Sequence, residues 1–140
     1  MAEKDALKHV AGYCLINDVS ERDFQLKKGA SQWSKGKGCD TFGPLGPWLV
    51  TRDEVKDPQN LGSKLWVNDV LKQDSNTGQM IFNLAEQIAH LSSRLTLHPG
   101  DLILTGTPAG VGAGRGEFLK AGDTAKLWIE KIGELSNKMA

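Results

Sequence analysis

The sequence has no excess of either charge, because seventeen Lys and Arg residues balance seventeen Asp and Glu residues. A basic surface for nucleic acid or for an anionic membrane is therefore not predicted. The sequence also has no apolar run near the roughly 20 residues that cross a bilayer. Its first ten residues lack the apolar core and small-residue cleavage site of a signal peptide. These absences predict a cytoplasmic protein with no nucleic-acid or membrane partner.

Cysteine is scarce, since only Cys14 and Cys39 are present. They form neither a CxxC pair nor a Cys/His cluster, so a disulfide framework and a zinc site are both disfavoured. We expect the two thiols to serve as small packing residues.

Glycine is abundant: sixteen glycines and five prolines are spread along the 140 residues. This distribution predicts many turns between short strands and little helix, within a single domain spanning residues 1–140. The chain lacks the regular alternation of strand and helix that builds a doubly wound parallel sheet. The predicted fold class is α+β, mainly β, with one long helix.

Residue patterns predict the individual elements. Strands are expected at 9–17, 44–51, 64–73, 99–107 and 121–139, the third folded as a hairpin around Asn68-Asp69. The long helix is expected to carry Met80, Leu84, Ile88, Leu91 and Leu95 on one face, with Thr77 as its cap. A short helix is expected after Ser20, with Ser20 and Asp23 as a capping box.

The stretch LINDVSERDFQ raises the first candidate site. Asp18 follows the first strand, and Arg22 and Gln25 are three residues apart, so they share one face of the short helix. A carboxylate at a strand end beside a cation is one way to mount a metal or substrate site on a rigid element. The alternative is that Asp18 and Ser20 cap the helix while Arg22 is solvated.

Two glycine-rich stretches offer further candidates. Lys37 lies between Gly36 and Gly38, where it could reach an anion that the bare backbone also approaches, or be a flexible exposed lysine. In LTGTPAGVGAGRG, Thr105 and Thr107 could present hydroxyl groups to a ligand oxygen. This second stretch does not match a phosphate-binding loop, because it lacks Gly-Lys-Ser/Thr and the Gly-x-Gly-x-x-Gly spacing.

The motifs NDVSERDFQ, QWSKGKGCDTFGPLGPWLVTRDEV, DPQNL, NTGQMIF and LHPGDLILTGTPAGVG occur here in this order. In this respect the chain resembles the fumarylacetoacetate hydrolase family, from about residue 10 to its end. The resemblance is strongest to the bacterial branch of acylpyruvate hydrolases, ureidoglycolate lyases and 2-hydroxyhepta-2,4-diene-1,7-dioate isomerases. It implies a mixed β-roll, usually dimeric, and catabolic chemistry on a small 2-oxo acid with Mg²⁺ or Mn²⁺ as cofactor.

The resemblance also implies roles for single residues. Asp18 matches a metal ligand, Arg22 and Gln25 match substrate-contacting residues, and Lys37 matches a lysine that contacts substrate beside the metal. Thr105 matches a threonine near the substrate carboxylate. These roles are chemically consistent, because a divalent cation polarises a carbonyl while cationic side chains neutralise a carboxylate.

In the family, a Glu-x-Glu pair, a further acidic ligand and a catalytic His/Glu pair precede the strand that is expected here near residue 10. The resemblance therefore implies that this chain lacks them, and the three histidines, His9, His90 and His98, do not obviously replace them. We expect a homodimer or larger homo-oligomer, or association with a separate N-terminal chain. Three accounts stay open: a truncated chain, the second half of an enzyme whose first half is another chain, or a shortened, non-catalytic homologue that keeps the fold for binding or assembly.

Overall fold

The computed structural model of the chain describes residues 1–28, 30 and 32–140. Within these residues the regular elements comprise six strands, three short α-helices, one π-helix and three 3₁₀ turns. The strands are β1 (Gly12–Ile16), β2 (Leu45–Thr51), β3 (Gly62–Val67), β4 (Val70–Asn76), β5 (Thr124–Ile129) and β6 (Gly133–Lys138). The α-helices are α1 (Glu3–Ala6), α2 (Leu84–Ser92) and α3 (Gly112–Arg115). The fold is α+β and mainly β, as predicted.

Four strands form an antiparallel sheet in the order β4-β3-β5-β6. The hairpin between β3 and β4 turns at Asn68 and Asp69, whose φ angles are 47° and 64°. Positive φ at both turn residues is the geometry that matches the twist of two paired strands, and Asn and Asp tolerate it. The predicted hairpin is confirmed.

The other two strands, β1 and β2, pair antiparallel with each other and pack against β5 and β6. Between the two sheets lies the hydrophobic core. Its buried members are Leu15, Val55, Leu61, Ala125, Leu127 and Ile132. Leu15 belongs to β1, so packing in this core holds β1 in place. Asp18 follows this strand in the chain.

Helix α2 is shorter than predicted. It begins at Leu84 after a capping box, in which the Asn83 side chain accepts a hydrogen bond from the Glu86 amide and the Glu86 carboxylate accepts one from the Asn83 amide. Thr77 instead opens a separate 3₁₀ turn, Thr77–Gln79, and its hydroxyl bonds to the backbone of Pro58 and Leu61. The prediction of Thr77 as the helix cap was wrong because Asn83 and Glu86 form a better cap closer to the apolar face.

The predicted strand at 99–107 is also absent from the described structure. The backbone of residues 102–110 makes no hydrogen bond to other described backbone groups, since no strand lies beside it to complete a ladder. The segment is attached by Gln73, whose Nε2 donates to Thr107 Oγ1 (3.0 Å) and to the Pro108 carbonyl (2.9 Å).

No helix in the described part of the chain has the length and apolar character needed to cross a bilayer.

Candidate functional site

Asp18 lies two residues after β1, in a stretch that the backbone holds firmly. The neighbouring Asn17 is buried, its amide donates to the Pro44 carbonyl (3.0 Å), and its side chain donates to Asn137 Oδ1 (3.2 Å). The Asp18 carboxylate forms an ion pair with the ammonium group of Lys37. The two side chains are 37% and 28% exposed, so the pair is half-buried and open to solvent on one side.

The short helix after Asp18 is a π-helix, Asp23–Lys28. Its first amides are capped by Glu21, whose carboxylate oxygens accept hydrogen bonds from the backbone N–H groups of Asp23 and Phe24. The predicted capping box was wrong. Ser20 instead donates to the Asp18 carbonyl, and hydrogen bonding to Lys27 lowers the pKa of the Asp23 carboxyl.

Arg22, immediately before this helix, is hydrogen-bonded to Gln25 within it. Arg22 Nη1 donates to Gln25 Oε1 at 2.7 Å. Gln25 is 0% exposed, and its Nε2 has no hydrogen-bond partner among the described residues. A buried amide donor without a partner is costly, so a ligand oxygen would stabilise Nε2 once the surrounding segment opened to admit it.

Lys37 is held against this helix by the preceding 3₁₀ turn, Trp33–Gly36. The Glu21 amide donates to the Gly36 carbonyl at 2.8 Å, which ties the turn to the start of the helix. The structure thus brings together Asp18 with Lys37, and Arg22 with Gln25, on two adjoining segments.

Thr105 lies elsewhere in the described structure. It is half-buried and lines a cavity of about 1170 Å³ beside β1, α2 and the 97–109 segment, and the other four predicted site residues are not among the described residues that line it. Sequence reasoning missed Gln73, which attaches the Thr105 segment, as well as Glu21 and Gly36. No strong signal for Glu21 was present in the sequence, because Ser, Thr, Asp and Asn, not Glu, are the preferred N-cap residues.

The arrangement can bind an anion. Arg22 and Lys37 supply positive charge, and the donors of Arg22 beyond the one used on Gln25 remain for a carboxylate. A divalent cation is a poorer fit to this chain alone. Magnesium takes six oxygen ligands, whereas Asp18 offers one carboxylate that is already paired with Lys37. No group of three or more His, Cys, Asp or Glu side chains within residues 1–28, 30 and 32–140 could hold a metal ion.

The family model for the fumarylacetoacetate (FAA) hydrolase C-terminal region matches residues 1–140. The chain therefore belongs to the fumarylacetoacetate hydrolase family, which defines its class by both fold and sequence.

Individual relatives agree with this assignment. A Burkholderia cenocepacia (strain HI2424) protein, whose name describes it provisionally as a hydrolase, is 56% identical over 135 residues, covering 94% of this chain and 48% of its own length. The solved structure of 2-hydroxyhepta-2,4-diene-1,7-dioate isomerase from Mycobacterium marinum is 43% identical to this chain, with a TM-score of 0.89. The match covers 100% of this chain and 52% of the isomerase. Maleylpyruvate hydrolase from Sphingobium sp. SYK-6, solved with manganese(II) and pyruvate, is 36% identical to this chain, with a TM-score of 0.86. The match covers 100% of this chain and 48% of the hydrolase. The chain thus spans about half the length of these relatives.

Proposed function

We propose that residues 1–140 form one domain, the C-terminal portion of a catalytic domain, and carry the substrate-binding side of a metal-dependent hydrolase, lyase or isomerase. Its substrates are small 2-oxo or 1,3-dicarbonyl acids of the acylpyruvate or ureidoglycolate type, and its compartment is the cytoplasm. The observation that carries this proposal is the buried Nε2 of Gln25, which has no partner among the described residues and lies beside the Arg22 guanidinium on a segment tied to Lys37.

Each side chain has a role that follows from its chemistry. Arg22 pairs with the substrate carboxylate, since its planar guanidinium can bind two oxygens at once. Lys37 stabilises negative charge on an enolate oxygen, and Gln25 Nε2 donates a hydrogen bond to a substrate oxygen. Thr105 offers a hydroxyl to the carboxylate when its segment approaches the site. Family relatives named as a maleylpyruvate hydrolase and an isomerase support chemistry on acids of this class.

The divalent ion, Mg²⁺ or Mn²⁺, is the least complete part of the site. A manganese ion accompanies pyruvate in the Sphingobium relative. In this chain we assign Asp18 as one ligand, and the remaining ligands come from outside residues 1–28, 30 and 32–140, because these residues offer no cluster that could supply them.

The exposed surface favours association with another polypeptide. The chain exposes 9211 Å², whereas a folded monomer of its 15.2 kDa mass exposes about 7,100 Å². The difference, roughly 2,100 Å², is comparable with the area that a stable protein–protein interface buries. Much of the excess is apolar: Ile81 is 92% exposed, and Phe82, Leu102 and Leu104 are each at least half exposed.

The cavity beside β1 supports a specific way of holding a partner. In the described residues β1 pairs with β2 alone, so its other edge is open, and the 102–110 backbone facing the same cavity is unpaired. An extended apolar segment could add as a strand here, with its backbone bonded to one edge and its side chains in the cavity. We propose a homodimer or larger homo-oligomer, or a complex with a separate N-terminal chain, built on this surface.

The binding proposal is tested by titrating oxalate, a mimic of the enolate, into the purified chain with and without Mg²⁺ or Mn²⁺. We expect oxalate binding to weaken at least about tenfold in Arg22→Ala and Lys37→Ala, because each variant loses a charged partner of the anion. Lys64→Ala is the matched control, since Lys64 also pairs with an aspartate, Asp74 (3.5 Å), on the sheet. Equal binding by Lys37→Ala, Arg22→Ala and the wild type would refute the proposal.

A second experiment separates the enzymatic proposal from the alternative of a non-catalytic binding or assembly protein. The chain is mixed with a polypeptide corresponding to the first half of the Burkholderia relative, and mass is measured by light scattering while acylpyruvate hydrolysis is followed. Complex formation with metal-dependent turnover supports a split enzyme. Complex formation, or self-association, without turnover of acylpyruvate or ureidoglycolate supports the alternative.

A further inference from the structure

The turn that carries Lys37 and the helical segment that carries Arg22 and Gln25 meet at a single glycine. Gly36 is buried, and a Cβ added to it would lie 2.5 Å from Gln25 Cβ and 2.6 Å from the Glu21 carbonyl oxygen. A Cβ atom does not come this close to a carbon or oxygen atom of a neighbouring residue, so any side chain at position 36 forces the two segments apart. Gly36 is thus required by the close approach itself.

The same point of contact is fixed by Glu21. Its backbone N–H donates to the Gly36 carbonyl (2.8 Å), and its own carbonyl accepts from the Gln25 amide (3.0 Å). Its carboxylate caps the amides of Asp23 and Phe24. One residue therefore holds the start of the helix and the end of the turn together.

We propose that Glu21 and Gly36 are positioning residues that form a clasp between the two halves of the anion site. The Glu21–Gly36 clasp is defined as the hydrogen bond between these residues together with the contact of Gly36 on Gln25. The clasp sets the position of Lys37, the residue after Gly36, relative to Asp18. It also sets the positions of Arg22 and Gln25 relative to the Asp18–Lys37 ion pair. This inference rests on the proposed function of the four side chains, but the clasp itself can be measured without a ligand.

The chemistry explains why such a clasp matters. Lys37 and Arg22 are long side chains on short irregular segments, and each loses much rotamer freedom when it is fixed. Anchoring the backbone directly beside each charged group reduces the conformational entropy that is lost when a ligand binds and orders these side chains. A displacement of about 1 Å in a positioned group can cost about 100-fold in the reaction it serves.

The test compares Gly36→Ala with Gly114→Ala. Gly114 is the matched control because a Cβ added there would meet nothing within 4 Å. The first measurement needs no ligand: the rate at which an amine-acylating reagent modifies Lys37 is compared with the rates at Lys35 and Lys64 by peptide mass spectrometry. In Gly36→Ala we expect faster modification of Lys37 and faster amide exchange at residues 21–25 and 33–37. We expect no change in β3 or β5, and no change at any of these positions in Gly114→Ala.

The second measurement is the oxalate dissociation constant. We expect it to rise at least about tenfold in Gly36→Ala and in Glu21→Ala. Glu21→Gln should recover part of the affinity, because its amide oxygen can still accept one of the two capping bonds. A purely packing role for Glu21 would instead leave the Gln and Ala variants alike.

The outcomes separate the two proposals. If the wild type fails to bind oxalate while Lys37 is released in Gly36→Ala, the proposed function fails and the clasp stands. If Lys37 modification and amide exchange are unchanged in Gly36→Ala, the clasp is overturned, whatever the wild type binds. Unchanged oxalate affinity in Gly36→Ala, in a wild-type background that binds, would also overturn the positioning role.

Discussion

The ammonium group of Lys37 forms an ion pair with Oδ2 of Asp18 across nineteen positions of sequence. Glu21 makes the capping bonds to the following helix, so the Asp18 carboxylate is available for charge chemistry. Any cation that binds Asp18 has to share this carboxylate with Lys37, because both positive charges are attracted to the same group.

We predict that this ion pair contributes little to stability. Asp18 and Lys37 are each about a third exposed, and pairs of this kind contribute at most about 1 kcal/mol. Asp18→Asn, Lys37→Met and the double variant should therefore show a coupling free energy below about 1 kcal/mol in urea unfolding. The Lys64→Met variant serves as the control. A coupling of several kcal/mol would show that the pair is a structural element of the fold.

We predict different consequences for the two buried glutamines. Gln73→Leu should lower the free energy of unfolding by about 1–3 kcal/mol, since the Thr107 hydroxyl and Pro108 carbonyl lose their donor. Gln25→Leu should lower it by less, about 1 kcal/mol, because the variant removes the Oε1 acceptor of Arg22 but also an Nε2 that has no partner among the described residues. Oxalate binding should be weakened in Gln25→Leu. Chemical denaturation and calorimetric titration of both variants check this, and a large loss of stability in Gln25→Leu would contradict it.

We predict that Gly110→Ala is strongly destabilising. Gly110 has a φ of 102°, and a Cβ there would lie 2.1 Å from the Lys72 carbonyl oxygen, so the loop would have to leave β4. The cost should exceed about 2 kcal/mol, from backbone strain and steric overlap together. The loss is measured by comparing the melting temperatures of Gly110→Ala and Gly114→Ala. Gly114→Ala is the control, because it adds only a helix-favouring side chain that contacts none of the described residues. Equal melting temperatures would show that the loop repacks freely.

We predict an acid-dependent contribution from Asp123. Hydrogen bonds from the Asn68 side chain and from the Lys120 amide lower the pKa of the Asp123 carboxyl below its usual value of 3.8. A lowered folded-state pKa gives stability that is present above 3.8 and is lost as the pH falls through the folded value. Asp123→Asn should therefore be less stable than the wild type at about pH 6, and the difference should shrink toward about pH 3. A difference that stays constant with pH would contradict this assignment.

Much of the sheet could be predicted from local chemistry. The Asn68-Asp69 hairpin follows from the preference of these residues for positive φ and from the β-rich arms on either side, and the Gly122-Asp123 turn located the start of β5. The start of α2 was misplaced because a threonine at residue 77 and an asparagine at residue 83 are both good caps. Only the folded chain, in which Thr77 bonds to Pro58 and Leu61, decides between them. The predicted strand at 99–107 has suitable residues, but strand formation also requires a neighbouring backbone.

The candidate site could be predicted only in part. The motif match selected Asp18, Arg22, Gln25 and Lys37, and the structure places them in two contacting pairs, although their roles remain predictions. Gly36 could not be assigned from sequence, because its importance lies in the atoms of Gln25 and Glu21 that approach it. The full burial of Gln25 was likewise hidden, since helical periodicity places a residue on a face without saying what covers that face.

The unpaired 102–110 segment has a practical consequence for handling the protein. An exposed run of leucine and isoleucine with free backbone groups is the kind of surface on which identical chains stack into cross-β aggregates. We expect yield and colloidal stability during recombinant production to depend on whatever occupies that edge. Co-expression with a complementing polypeptide should therefore improve recovery more than lower temperature or added salt.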